Sequence, residues 1–264
     1  VGWPGRRGRN EGKPTRNWRL SALDRYTFDL RGYLVFEHAL DRETVERLRT
    51  VIDAQGLPVP DETIERQRFG QGGRLFSWDP AFCDLLDHPL AIAVLEELIG
   101  PYVRLDHAYG IAMRPGTSGL GLHGPAEPFD ASQYYVYRMG AMRNGLLSLS
   151  WSLSDGLPGD GGFGCIPASH RASAPRPPGA ESLVVEVPQS LGSLLVFTEA
   201  LMHCTIPWQG GSTRHALLYK YSPGSTAWDP SPAAPADVVA SMSARQRRFF
   251  QPPSVGGRTP TFGS

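Results

Sequence analysis

Polar and apolar positions alternate most regularly between residues 147 and 154. Leu147, Leu149, Trp151 and Leu153 alternate with Ser148, Ser150, Ser152 and Ser154. A repeat of two predicts a strand with one apolar and one small polar face. Further strands are predicted over 32–37 (GYLVFE), 103–113, 132–137, 184–187, 194–197 and 215–221, each rich in β-branched or aromatic residues and bounded by turn formers. Ahead of most of them the period is helical. Ser21 can cap a short helix to Leu30. Asp41 caps a helix carrying Val45, Leu48, Val51 and Ile52 on one stripe. His88-Pro89 opens a third helix that ends at Gly100-Pro101. Residues 54–75 are polar and Gly-rich and read as a long loop, and 237–250 looks helical. Helices first and then six to eight strands predict an α+β, mainly β fold, a double-sheet barrel or jelly roll of the cupin-like kind with flanking N-terminal helices. The expected organisation is a flexible lead over 1–20, one domain over 21–250 and a loose tail over 251–264.

Composition narrows the function. The 264 residues carry 26 Lys+Arg and 26 Asp+Glu, a net charge of zero that argues against a nucleic-acid module. No apolar run is long enough for a membrane span. The lead VGWPGRRGRNEGKPTRNW has no apolar stretch and is not expected to be a signal peptide. Three scattered cysteines, Cys83, Cys165 and Cys204, form no CxxC pair. They predict neither a disulfide framework nor a structural zinc, and they fit a reducing, cytoplasmic setting. There is no GxSxG elbow, and GDGGFG precedes no helix, so a serine hydrolase and a dinucleotide site are not supported.

Among seven histidines, His123 and His203 stand out. Each is expected at the mouth of a strand, in GLGLHGP and LVFTEALMH, where a barrel presents ligands to its interior. Neutral imidazole suits Fe(II), and two with one carboxylate form a facial triad. Arg214, at the head of RHALLYKY, can take a carboxylate in bidentate fashion. Spacing alone does not separate these three from ordinary strand residues. His107 (in LDHAYG), Tyr135 and Trp151 are candidate pocket residues. Core packing is the competing reading of the two aromatics, and Asp106 beside His107 is expected in a surface ion pair.

The strings around these residues go further. GYLVFEHALDRETVERL, GDGGFGCIPASH and GSLLVFTEALMHCTIPWQGGSTRHALLYKYSPG resemble the phytanoyl-CoA dioxygenase family of non-haem Fe(II)/2-oxoglutarate oxygenases, over about residues 25 to 225. The resemblance implies a double-stranded β-helix fold. It makes His123 the proximal and His203 the distal iron ligand, and Arg214 the clamp for the distal carboxylate of 2-oxoglutarate. Thr205 and Ser148 match hydroxyl positions that bond the cosubstrate. The implied cofactors are Fe(II), 2-oxoglutarate and O2, and the implied activity is oxidation, by hydroxylation or related C–H chemistry, of a small organic molecule, with a place in secondary metabolism.

One departure stands out. The family's proximal motif is His-x-Asp, and here it reads His123-Gly124-Pro125. Three explanations compete. Glu127 or Asp130 serves as a displaced ligand; or the position is left open, as in the iron halogenases; or the metal is lost and the chain is a small-ligand-binding relative.

Overall fold

The computed structural model describes residues 18–58, 67–124, 130–230 and 233–262. Helix α1 (Ala22–Arg31) begins at a capping box made by Ser21 and Asp24 and ends at Gly32 in the left-handed conformation. Strand β1 (Tyr33–Phe36) leads to α2 (Arg42–Asp53), capped by Asp41 and burying Val45, Leu48 and Ile52. Short helices α3 (Leu75–Trp78) and α4 (Pro80–Asp84) precede α5 (Pro89–Leu98). The expected loop over 54–75 is interrupted by β2 (Gln67–Phe69), a short strand whose polar Gln-Arg start hides its pairing.

The remaining strands are β3 (Val103–Met113), β4 (Leu120–His123), β5 (Tyr135–Arg138), β6 (Ala141–Asn144), β7 (Leu147–Ser152), β8 (Gly162–Cys165), β9 (Val185–Glu186), β10 (Leu194–Thr198), β11 (His203–Ile206) and β12 (Arg214–Pro223). Every pairing is antiparallel. A six-stranded sheet runs β1-β10-β7-β12-β3-β2, a four-stranded sheet runs β4-β11-β8-β9, and β5 and β6 form a hairpin. The helical segment expected over 237–250 is two short helices, α6 (Ala236–Ser241) and α7 (Ala244–Arg248), the second started by a Ser243–Gln246 capping box.

The large sheet separates two interiors. Leu147, Leu149, Trp151, Leu194, Val196, Leu217, Tyr219 and Tyr221 turn toward the helices and join the main core. Fully burying each such side chain is worth about 1.5–3 kcal/mol. Their neighbours in sequence face the small sheet. Leu195 and Phe197 pack on Phe163 and Cys165 of β8, and Ala216 and Leu218 pack with Tyr109, Ile111 and Met113. The serine face of β7 is therefore the inner face, looking into the space between the sheets.

The last residues are expected to form a loose tail, and several of the described ones are tied to the domain. Among residues 251–262, Thr261 accepts a hydrogen bond from the Val103 amide at 3.1 Å, Arg258 donates to the Gly224 carbonyl, and Phe262 packs on Phe249. Among the described residues no helix is long and apolar enough to cross a membrane.

Candidate functional site

His123 and His203 end and begin adjacent strands, and they are direct partners in the β4–β11 register. Their ring centroids lie 4.2 Å apart. Each ring donates from Nδ1 to the carbonyl two residues earlier, His123 to Gly121 at 2.8 Å and His203 to Leu201 at 2.7 Å. That bond puts a proton on Nδ1 and makes Nε2 the nitrogen through which each ring can act as a ligand. His203 is buried between Phe163 and Phe197, whereas His123 stands at the exposed rim. Burial pushes the His203 pKa down to about 4, against the opposing pull of Glu199, so the ring is neutral at neutral pH. Gly124 follows at φ +77°, and a Cβ there would come within 3.0 Å of the Glu199 carbonyl oxygen. The glycine lets the chain leave His123 directly beneath the turn that precedes His203.

Arg214 opens β12 opposite Met113 and is 7% exposed. Among the described residues no carboxylate pairs with it; its guanidinium touches the Met113 sulfur at 3.9 Å. Burial alone lowers its pKa to about 10, so it remains a cation. A buried cation without a counter-charge is costly, and an anionic ligand would supply the missing partner. Arg214, His123, His203 and Thr205 line one cavity between the sheets, together with Ser150, Arg68, Tyr109 and Lys220. Arg68 reaches it from edge strand β2 and lies 4.5 Å over the Tyr109 ring. On the opposite side Arg176 donates to the Leu122 carbonyl beside His123.

Two residues of the site carry no motif. Glu199, 4% exposed, sits on the turn between β10 and β11. Its Oε1 takes Lys220 Nζ at 2.9 Å and the Ser148 hydroxyl, and its Oε2 lies 3.8 Å from His203 Nε2. Burial would raise its pKa, but Lys220, His203 and Ser148 hold it down at about 2. Lys220 in turn is pulled down by burial and raised overall by Glu199. The sequence signal for the pair was a Glu four residues before His203 and a Lys on the inward phase of β12.

The other expected site residues fall elsewhere. Ser148 does not line the cavity; its hydroxyl is taken by Glu199, and Ser150 holds the wall position. Trp151 is on the opposite face of β7, fully buried and edge-on to His88, because the apolar phase of the strand turns to the helices. Tyr135 lies outside the cavity, donating to Asp29 and packing on His170. His107 stacks on Tyr109 and bonds Asp106 at 2.8 Å, behind the cavity wall. Asp106 is no surface residue. It is fully buried and accepts from Arg104, Ser222 and the amides of Trp228 and Asp229. Asp130 accepts from the amide and hydroxyl of Ser132 in an Asx turn, which engages its Oδ1 locally. Glu127 lies outside the described residues.

No protein-family model and no curated protein sequence matches the chain. Solved structures do. HygX from Streptomyces hygroscopicus, with nickel and 2-oxoglutarate bound, is 24% identical over 83% of this chain and 94% of its own, with a TM-score of 0.71. HygX has also been solved with hygromycin B bound beside nickel and 2-oxoglutarate. The non-haem α-ketoglutarate-dependent carbocyclase SnoK from nogalamycin biosynthesis is 16% identical over 94% of this chain and 99% of its own, at 0.64. The epimerase SnoN from the same biosynthesis is 18% identical over 90% and 96%, at 0.62. The likeness is one of fold: the chain folds as these 2-oxoglutarate-dependent enzymes do.

Proposed function

We propose that the protein is a non-haem Fe(II)/2-oxoglutarate-dependent oxygenase that oxidises a small organic molecule. The single observation that carries the reading is the meeting, in one cavity, of two imidazoles, each tied through Nδ1 to a backbone carbonyl, and a buried guanidinium that no carboxylate among the described residues pairs. Paired imidazoles and a buried cation fit a divalent ion and a dianionic cosubstrate, respectively. The two facing sheets correspond, in this reading, to the double-stranded β-helix of the phytanoyl-CoA dioxygenase-like oxygenases. The enzyme domain spans 21–250, with the C-terminal segment tied to it.

His123 and His203 would hold the iron. Bound iron would supply activation of O2 coupled to decarboxylation of 2-oxoglutarate to succinate. Arg214 takes the distal carboxylate of 2-oxoglutarate in a charge-assisted pair, and Gly162 leaves the space that its side chain occupies. Thr205 offers a hydroxyl from the same wall. Phe163 and Phe197 exclude water from the inner side of His203. HygX holds hygromycin B, and SnoN and SnoK come from nogalamycin biosynthesis. By analogy of fold we place this substrate among small natural products, acted on in the cytoplasm.

Anaerobic addition of Fe(II) and 2-oxoglutarate to the protein tests the reading. A weak visible metal-to-ligand absorption band, and succinate on admitting air, are expected. A protein that binds neither ligand is a binding module of another kind.

A further inference from the structure

The position two after His123 is Pro125, whose side chain has no donor atom. A carboxylate nevertheless faces the other histidine. His203 Nδ1 is tied to the Leu201 carbonyl, so Nε2 is the ring nitrogen available to a ligand. Glu199 Oε2 lies 3.8 Å from that Nε2. Oε1 is already held by Lys220 and Ser148, which fixes the carboxylate and leaves Oε2 turned toward the imidazole. The carboxylate oxygen and the imidazole nitrogen thus face each other in a buried space, beyond hydrogen-bond distance. A shared cation bound by both atoms accounts for that spacing.

We infer that Glu199 is the third protein ligand of the metal site, supplied from the β10–β11 turn in place of the missing carboxylate after the proximal histidine. The inference rests on the iron reading above. Two donors at about 2.1 Å from one divalent ion are about 3.0 Å apart at a right angle and about 4.2 Å apart when opposed. The observed 3.8 Å lies inside that range. Among the described residues no three His, Cys, Asp or Glu side chains are closed at ligand geometry. Glu199 would complete the site by a shift of Oε2 toward the ion, with Oε1 held by Lys220. Lys220 has a role of its own here: at 2.9 Å from Oε1 it balances the carboxylate's charge and fixes its orientation.

Co(II) and Mn(II) binding to the full chain, read by calorimetry, by the cobalt absorption spectrum and by manganese spin resonance, tests this without turnover. Glu199→Gln keeps the size and should weaken Co(II) at least tenfold and alter the cobalt spectrum. Because Gln would strand Lys220, the double variant Glu199→Gln/Lys220→Met is measured beside it, with thermal melting as the check on folding. It should show the same loss. If Glu199 serves only to neutralise Lys220, the double variant binds metal as the wild type does, and the assignment falls. Loss of metal in Glu127→Ala with retention in Glu199→Gln would give the position to the loop carboxylate and also overturn it. A wild-type chain that binds neither ion overturns the iron reading together with this one, whereas normal binding by the wild type and both Glu199 variants overturns Glu199 alone.

Discussion

The side chain of Arg214 lies over the α-carbon of Gly162: a Cβ at 162 would stand 3.1 Å from the arginine Nε. Gly162 also holds φ at +94°, a conformation that a side chain strains. The glycine-rich string before β8 is thus a seat for the guanidinium. Gly162→Ala should displace it, raising the Kd for 2-oxoglutarate about tenfold while Co(II) binding stays as it was. Arg214→Ala removes a charge-assisted, desolvated pair and should cost about tenfold to a hundredfold. Isothermal titration of 2-oxoglutarate into the metal-loaded protein measures both. An unchanged Kd in Arg214→Ala would take the arginine out of the site.

The two histidines should differ in what their removal costs. His203 is buried among Phe163, Phe197 and Glu199, and His123 is at the rim. His203→Ala and His123→Ala should both abolish tight Co(II) binding. Only His203→Ala should also lower stability, by about 2–4 kcal/mol, since it opens a cavity in packed aromatics. Urea unfolding of both variants checks this. Equal stability losses would mean that the packing around His203 is not what holds it.

The residues that meet in the candidate cavity were partly legible in the sequence, and the parts that were not share one cause. His123, His203 and Arg214 stand in recognisable strings, and the capping residues Ser21 and Asp41 start their helices as local chemistry dictates. The alternation of 147–154 established two faces of β7 but not which one faced the cavity. The apolar phase turned to the helices, so Trp151 left the pocket and Ser150 took the wall position. Glu199 and Lys220 belong to no spacing rule. They meet because Phe197, Ser148 and Lys220 lie side by side across β10, β7 and β12, and the chain then turns Glu199 back over them. Asp106 escaped for the same reason, since its partners Trp228 and Asp229 come from a loop more than a hundred residues away.

Asp130 is predicted to be structural. Its Oδ1 holds the Ser132 amide at 2.7 Å, and the next segment, through the Ser132 carbonyl, anchors the Leu146 amide. Asp130→Ala should therefore retain Co(II) affinity and lose about 1 kcal/mol of stability through the broken turn. A variant that no longer binds metal but melts normally would restore Asp130 as a ligand.

The buried hub at Asp106 should be among the most sensitive positions away from the cavity. Its carboxylate pairs with Arg104 at 3.1 Å, and both side chains are nearly inaccessible. Burial would raise the Asp106 pKa, yet His107 and the Trp228 and Asp229 amides hold it below the ordinary value. Asp106→Asn leaves Arg104 buried without its charge partner, and breaking such a pair costs about 3–5 kcal/mol. The urea midpoint should fall accordingly, with the slope of the transition unchanged. A loss under about 1 kcal/mol would show that the amide contacts alone suffice.

Acid should weaken the fold through His88. This residue caps α5, its Nδ1 accepting the Leu90 amide at 3.2 Å, and its ring packs edge-on to Trp151. Both contacts favour a neutral ring, because a protonated Nδ1 cannot accept. Burial lowers its pKa to about 4, with Asp41 acting the other way. An unfolded histidine titrates near about 6.5. Between these values the unfolded chain binds a proton that the folded one refuses, so stability is complete above about pH 6.5 and declines as pH falls toward 4. Below that the folded ring is protonated as well and the loss levels off. At about 1.4 kcal/mol per tenfold change in proton affinity, this one group accounts for up to about 3 kcal/mol. His170, lowered to about 4 by burial in the same way, adds a loss of the same sign. His88→Asn supplies an equally good N-cap with no proton to gain. Its stability should therefore fall less steeply than the wild type's between pH 6.5 and 4. Urea titrations at half-unit pH steps measure the two slopes, and identical slopes would remove His88 from the acid response.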